Sequence, residues 1–214
     1  MRVIVTAGPT REYIDTVRFI TNGSSGQMGC QVALAAVAAG HRVTLLLGEG
    51  ASDGARAMLA GADIQVVPFV SVSDLRQGLE ERFGECDALI MAAAVGDFRP
   101  EKVLPAKLRR RSGPITLRLF PTEDILAGVA AKKKGGQVVI AFAVEDAPPG
   151  QIEAKARAEM VDKNADYVVV NTPAAMGAQR SSACILSRHA FVLKWSDRPK
   201  EALAREIVKL LGKK

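Results

Sequence analysis

Six short apolar runs recur along the chain, each stopped by glycine, proline or a polar cluster. They span Val3–Ala7, Arg42–Leu47, Asp63–Phe69, Ala88–Ala94, Val138–Val144 and Tyr167–Val170. Most are continuously aliphatic rather than alternating, the signature of strands covered on both faces in a parallel sheet. Between them lie helical stretches. Cys30–Ala39 is closed by Gly40, and Ser24 or Ser25 is placed to cap its first turn. A short helix is expected over 53–61, and another over 74–83, with Leu75, Leu79 and Phe83 on one face and Ser73 as cap. Thr122-Glu-Asp-Ile-Leu126 opens a helix ending near Lys132–Gly136, and two more are expected over 151–164 and 199–211. This alternation predicts an α/β fold: a Rossmann-like three-layer arrangement with a mostly parallel central sheet.

Two stretches break the rhythm. Residues 95–113 are polar, basic and proline-containing and read as an inserted flap, followed by Ile115–Leu119, whose alternation predicts a half-exposed strand. Near the C-terminus, Ala183–Ser187 and Phe191–Trp195 predict a hairpin across 188–190. Neither has an obvious partner in a parallel sheet, so both are expected to pair across a dimer axis. With no internal repeat and no low-complexity linker, one domain over 1–214 is expected.

Composition narrows the picture. The 214 residues are 48% hydrophobic and only 5% aromatic, which suits an aliphatic core. The net charge of +6 suits a phosphorylated small substrate or a nucleic acid. Basic residues cluster only at Lys107–Arg111, Lys132–Lys134 and Lys213–Lys214, with no interleaved aromatics to stack bases, which argues against nucleic acid. Three widely spaced cysteines and two histidines give neither a disulfide framework nor a histidine metal site. Met1–Ala7 reads as a first strand rather than a signal peptide, and no run approaches the roughly 18 apolar residues of a membrane span. A cytoplasmic protein without a membrane partner is expected.

Candidate chemistry gathers where ligands bind an open parallel sheet, beyond the carboxyl ends of its strands. The loop Arg18–Gly29 leads into a helix whose Ser-Ser-Gly start aims free N–H groups and the positive dipole end at an anion, with Asn22 just before it. Gly8 and Gly96 allow close backbone approach. Asp97 and Glu145 are candidates for a Mg²⁺ contact or a ribose hydroxyl, and Arg99, Lys102 and Lys107 for phosphate. The alternative is an ordinary capped helix, a loop ion pair between Asp97 and Arg99, and a solvated basic face at Lys107–Arg111. Neither the Gly-x-Gly-x-x-Gly fingerprint nor a Gly-x-x-x-x-Gly-Lys-Ser/Thr loop is present. The residues alone therefore point to a nucleotide- or phosphate-binding enzyme without naming its reaction.

Thr6-Ala-Gly-Pro-Thr-Arg-Glu-Tyr-Ile-Asp15 followed by Val17–Gly29 resembles the start of phosphopantothenate–cysteine ligases (phosphopantothenoylcysteine synthetases). In bacteria these usually form the C-terminal half of a bifunctional coenzyme A biosynthesis protein. Ala93–Arg99, Ala106–Arg110, Glu123–Leu126, Ala141–Glu145, and Lys163–Asp166 through Asn171 follow in the family's order, so the resemblance covers about residues 3–190. It implies activation of the 4′-phosphopantothenate carboxylate by CTP, with ATP the other candidate, as an acyl nucleotide (acyl-CMP). The amine of L-cysteine then displaces the nucleotide. It also implies Mg²⁺ and a homodimer.

By motif, the resemblance places Asn22 at the activated carboxyl, with Arg18, Ser24, Ser25 and Gly26 around phosphopantothenate. Lys107 is placed at phosphate, with Asn22 and Lys107 the catalytic candidates. Gly8, Ala93, Ala94, Asp97, Phe142, Ala143, Glu145 and Lys163 are placed around the nucleotide, and Asp97 is the metal candidate. Pro9, Gln27 and Glu159 depart from the family pattern; Glu159 stands where a first nucleotide-binding lysine is expected, and Lys155 lies one turn away. The flavin-dependent decarboxylase half has no counterpart here, so a stand-alone ligase without flavin is expected, with the decarboxylase as a separate partner. Two other readings stand beside it. A short-chain NAD(P) oxidoreductase would need a Tyr-x-x-x-Lys pair, yet neither Tyr13 nor Tyr167 has lysine four residues on. A non-catalytic nucleotide- or nucleic-acid-binding module is the other.

Overall fold

The computed structural model describes residues 1–110, 113–146 and 149–212, with the side chains of 149 and 150 left aside. Arg111 and Lys213-Lys214 of the basic runs lie outside the described residues. The expected strands form β1 (Arg2–Ala7), β4 (Arg42–Gly48), β5 (Ile64–Phe69), β6 (Ala88–Met91), β9 (Val138–Val144) and β10 (Tyr167–Asn171). All are parallel, in the spatial order β5-β4-β1-β6-β9-β10. Numbered by their sequence among the parallel strands, that is 3-2-1-4-5-6, the order of the dinucleotide-binding fold. The chain first builds outward from β1 to β5, then crosses over to build the other half from β6. The strand order therefore reverses between β1 and β6.

Two layers of helices cover the sheet because its strands are apolar on both sides. One face packs Val5, Leu45 and Ile140 against α1 (Gln27–Ala38) and α6 (Lys200–Val208), through Cys30, Ala33, Leu203 and Ile207. The other packs Ile4, Leu89 and Val139 against α3 (Val72–Phe83), α4 (Ile125–Ala130) and α5 (Pro149–Asp162), through Leu79, Val129 and Met160. The short α2 (Asp53–Ala57) adds Ala55 to the first layer. Cys30, Cys86 and Cys184 are buried free thiols, each pushed up to about 11 by burial. Among the described residues no helix is long and apolar enough to cross a membrane.

Several expectations are corrected. Ser71, not Ser73, caps α3: its Oγ accepts from the Asp74 N–H at 3.2 Å while Asp74 Oδ2 accepts from the Ser71 N–H at 2.8 Å. That reciprocal pair is a capping box, and it starts the helix two residues earlier. Neither Ser24 nor Ser25 caps α1. Its N-cap is Gly26 at φ 78°, with no side-chain cap. β6 stops at Met91, because the Ala93 N–H turns aside to Thr6 Oγ1 at 3.0 Å. The helix expected over 53–61 is regular only to Ala57.

The C-terminal hairpin, β11 (Arg180–Ser187) and β12 (Phe191–Pro199), has a partner in its own chain after all. β11 pairs antiparallel with β10, making the sheet eight-stranded. Ile115–Leu119 is not a strand. The paired segment is β8 (Leu119–Pro121), against β7 (Phe98–Pro100). The alternation before it finds no face to pack on, and Ile115 is 63% exposed. A small hairpin, β2 (Arg11–Tyr13) with β3 (Phe19–Thr21), had no sequence forecast.

Candidate active site

The reversal between β1 and β6 leaves a crevice at the carboxyl edge of the sheet, and the chain lines it with a cavity of about 730 Å³. That volume is within the usual range for small-molecule sites, about 300–1,000 Å³. Its floor is the loop after β6. Thr6 Oγ1 accepts from the Ala93 N–H at 3.0 Å, and the Ala94 N–H donates to the Gly8 carbonyl at 3.0 Å. Thr10 Oγ1 accepts from the Gly96 N–H at 2.9 Å, and Thr122 Oγ1 donates to the Gly96 carbonyl at 2.6 Å. Residues 93–96 are thus pinned from β1 on one side and from the start of the α4 region on the other.

On one flank lies the N-terminus of α1. Gly26 runs so close to the first loop that an added Cβ would stand 3.0 Å from the Ala51 Cβ and 3.3 Å from the Gly8 Cα. Its positive φ and this contact together call for glycine. The Gln27 N–H meets Ser25 Oγ at 3.5 Å, and with no side-chain cap on α1 the next N–H groups of the first turn stay available at the cavity wall beside Ser24, Ser25 and Met28. Asn22 bridges this flank to the floor: its Nδ2 donates to the Val95 carbonyl at 2.9 Å. One amide hydrogen is used this way, leaving the second hydrogen and Oδ1 for other partners.

The other flank comes from α4 and α5. Asp124 caps α4 by accepting from the Ala127 N–H at 2.9 Å. Lys163 reaches Asp124 at 3.7 Å and is hydrogen-bonded to Glu159. Burial would lower the Lys163 pKa, but the Glu159 hydrogen bond and the Glu159, Asp124 and Asp97 charges outweigh it and hold the pKa above its ordinary value. Glu159, where the resemblance places a lysine, thus consumes part of the charge of the lysine that remains. Lys155 does not line the cavity; it pairs with Glu145 at 3.8 Å.

Asn22, Ser24, Ser25, Gly26, Ala93, Ala94, Asp97, Phe142, Ala143, Glu145 and Lys163 all line this one cavity. Gly8 lies directly behind Gly26 rather than in the wall. Arg18 and Lys107 are not lining residues. Arg18 pairs with buried Asp15 at 2.5 Å and donates to the Leu108 carbonyl at 3.1 Å, while Asp15 accepts from the Leu108 N–H at 3.0 Å. The Leu108 backbone bond, joined by the Val17 and Arg18 N–H groups and the Arg18 guanidinium, outweighs desolvation and holds the Asp15 carboxyl well below the usual carboxylate range. This pair staples the basic flap to the β2–β3 hairpin, with exposed Lys107 next to the staple. Arg99 and Lys102 are exposed and outside the wall.

Among the described residues no group of three or more His, Cys, Asp or Glu could hold a metal ion by itself. The hard oxygen donors of the wall, Asp97, Glu123 and Asp124, suit Mg²⁺ that arrives already held by phosphates. Sequence reasoning missed Gln27, Glu123, Asp124, Asn171 and Lys200 as wall residues. For Lys200 a signal existed: a cation in the first turn of a helix opposes the helix dipole.

The chain matches the DNA/pantothenate metabolism flavoprotein C-terminal domain family over residues 1–213. It is 40% identical over 176 residues to the coenzyme A biosynthesis bifunctional protein CoaBC of Bacillus subtilis (strain 168), covering 82% of this chain and 41% of that protein. It is 36% identical over 212 residues to a cysteine/cysteine sulfinic acid decarboxylase of an unknown prokaryotic organism, covering 97% of this chain and 57% of that protein. The chain thus spans about half the length of these curated relatives. The crystal structure of the C-terminal domain of a coenzyme A biosynthesis bifunctional protein CoaBC superposes with a TM-score of 0.77 at 30% identity, over 98% of this chain and 93% of that one. From its strand order to its full-length family match, the chain belongs to the DNA/pantothenate metabolism flavoprotein C-terminal domain family.

Proposed function

We propose that this chain joins 4′-phosphopantothenate to L-cysteine through an acyl-nucleotide intermediate, giving 4′-phosphopantothenoylcysteine for coenzyme A biosynthesis. The observation that carries the reading is the gathering of Asn22, the uncapped start of α1, Asp97, Phe142 and Lys163 around one cavity at the strand-order reversal. The 40% identity to a coenzyme A biosynthesis protein supports it. In the first step a carboxylate oxygen of the acid attacks the α-phosphorus of CTP, with ATP the other candidate, and pyrophosphate leaves. In the second the amine of cysteine attacks the acyl carbon, the amide bond forms, the amine loses a proton and the nucleoside monophosphate leaves.

The wall residues fit these needs. The α1 N-terminus offers N–H groups to phosphate oxygens. The free hydrogen of the Asn22 amide donates to the oxyanion formed on the acyl carbon, and its Oδ1 orients the attacking amine. Phe142 gives the nucleotide an apolar surface, and Lys163 opposes phosphate charge with what Glu159 leaves it. Mg²⁺ would be held by Asp97 with the phosphates and would supply charge neutralisation at the α-phosphorus.

Lys107 approaches phosphate when the flap closes. The same flap carries Phe98, Ile115, Leu117 and Phe120, all exposed, and a second copy of the chain is the partner that would cover them. A flavin-dependent decarboxylase acting on the product would be a separate catalytic unit, and this chain would use no flavin.

A thermal-shift screen tests the reading: CTP or ATP with Mg²⁺, against NADPH and against an oligonucleotide. At a hundred times its dissociation constant a ligand stabilises by about 2.7 kcal/mol, which moves the melting temperature of a domain this size by roughly 5–10 °C. A shift with NADPH or the oligonucleotide alone would replace this reading with an oxidoreductase or a nucleic-acid-binding one.

A further inference from the structure

Lys200 is the first residue of α6, only 6% exposed, yet it lines the cavity. Its N–H donates to the Gln179 carbonyl at 3.1 Å, which fixes where the side chain starts. Among the described residues its ammonium has no hydrogen bond and no ion pair. The carboxylates nearest in sequence are taken: Asp197 pairs with Arg180 at 2.6 Å, and Glu201 pairs with Arg205. Burial lowers the Lys200 pKa, and no neighbouring charge offsets it. A buried cation without a partner is costly, and a cation in the first turn of a helix costs more.

The position supplies a reason. α6 and α1 pack along each other on one face of the sheet, through Leu203, Ala204 and Ile207 against Cys30, Ala33 and Ala36. Both helices begin at the same cavity, one at uncapped Gly26 and the other, uncapped by any side chain, at Lys200. Two helix N-termini and one ammonium without an ion pair among the described residues give this flank a positive character. Of the acidic residues of the cavity, Asp124 and Glu159 are engaged by Lys163, Glu123 pairs with Arg76 at 2.8 Å and Glu145 with Lys155 at 3.8 Å, while Asp97 stands in the loop after β6. Two wall atoms, Gln27 Oε1 and Asn171 Oδ1, are buried acceptors without a donor, which a ligand's N–H or O–H groups, not its phosphate, would satisfy.

We propose that Lys200 is the cation that binds a phosphate oxyanion of the ligand, held between the N-termini of α1 and α6. The inference rests on the reading of the cavity as a ligation site. The phosphate comes either from the nucleotide or from the phosphorylated acid.

Calorimetry on the full chain, wild type and Lys200→Met, with Mg²⁺, separates these. The probes are CTP, pyrophosphate, cytidine and 4′-phosphopantothenate. The expected result is a loss of at least about tenfold in affinity for one phosphate source, with cytidine unaffected. A loss for CTP and pyrophosphate assigns Lys200 to the nucleotide; a loss for 4′-phosphopantothenate assigns it to the acid. The ligand-free Lys200→Met protein should melt no lower than wild type, and Lys200→Arg should keep part of the affinity. Wild-type binding with an unchanged Lys200→Met affinity for every probe overturns the role of Lys200 alone. So does a Lys200→Met protein that melts far lower and whose lost affinity Lys200→Arg does not restore. A wild-type protein that binds none of the probes overturns the ligation reading together with it.

Discussion

Gly29 is where helix seating and ligand binding meet. An added Cβ there would stand 2.5 Å from the Ala7 Cβ, 2.7 Å from the Thr6 carbonyl oxygen and 2.9 Å from the Ala7 Cα. None of these atoms can rotate away, because all belong to the backbone or first side-chain carbon of β1. Gly29→Ala must therefore lift the start of α1 off the sheet. Overpacking costs about 1–3 kcal/mol, and three contacts under 3.0 Å put this site at the upper end, about 2–3 kcal/mol, of which alanine returns about 1 kcal/mol as helix propensity. The net destabilisation is about 1–2 kcal/mol, lowering the melting temperature by roughly 2–8 °C in a domain this size. Gly128→Ala in α4 is the control, since nothing lies within 4 Å of its added Cβ. It should gain up to about 1 kcal/mol and melt roughly 1–4 °C higher. Lifting α1 also moves Gly26 and Gln27 from the cavity wall, so nucleotide affinity should fall at least severalfold in Gly29→Ala and stay unchanged in Gly128→Ala. Thermal melts and calorimetry decide it. A Gly29→Ala protein at or above the wild-type melting temperature, as helix propensity alone would give, refutes the seating of α1 on β1.

Glu159→Gln releases Lys163 from its carboxylate partner and should raise nucleotide affinity by about threefold to tenfold, roughly 0.7–1.4 kcal/mol; a weaker or equal dissociation constant by calorimetry contradicts the charge argument. Asn22→Asp should still release one enzyme equivalent of pyrophosphate but slow the cysteine step by about a hundredfold, near 2.7 kcal/mol. Rapid quench should find accumulated acyl nucleotide, and ligation at the wild-type rate would remove Asn22 from the site. Asp15 has a folded pKa held below its ordinary 3.8, so its stabilisation is present above that pH and is lost as pH falls through the folded value. Asp15→Asn should therefore melt below wild type at pH 7, with the gap narrowing below pH 3.8; an equal gap at pH 7 and pH 3 contradicts the carboxylate role.

The parallel core was legible because its strands carry no polar alternation. Val3–Ala7, Val138–Val144 and Tyr167–Val170 could only be strands buried on both faces, and burial is a property of each residue's own chemistry. Boundaries set by one hydrogen bond were less legible. Ser71 and Ser73 both precede the apolar face, and what distinguishes them is one residue: Asp74, three positions after Ser71, whose side chain reaches back to its N–H, where Ser73 has Arg76. The alternation of Ile115–Leu119 was visible, but a strand also needs a partner and a face, and neither is written locally. The hairpin erred the other way: its pairing with β10 is a contact between segments whose complementarity no short window contains. In the cavity, residues flanking strand ends, such as Asn22, Ala93 and Phe142, were readable from their position. Lys200 was marked only as a cation in the first turn of an expected helix; that α6 starts at the cavity depends on how the helix packs along α1, which no local pattern contains.

The most direct test of the central claim is a single-turnover ligation by the purified chain with Mg²⁺, CTP, 4′-phosphopantothenate and L-cysteine, read by mass spectrometry and pyrophosphate release. The account predicts one 4′-phosphopantothenoylcysteine and one CMP per pyrophosphate. With cysteine withheld, it predicts acyl nucleotide bound to the protein in amounts near the enzyme concentration. Pyrophosphate release that does not depend on 4′-phosphopantothenate, or binding of CTP and the acid without acyl nucleotide or ligated product, would contradict it.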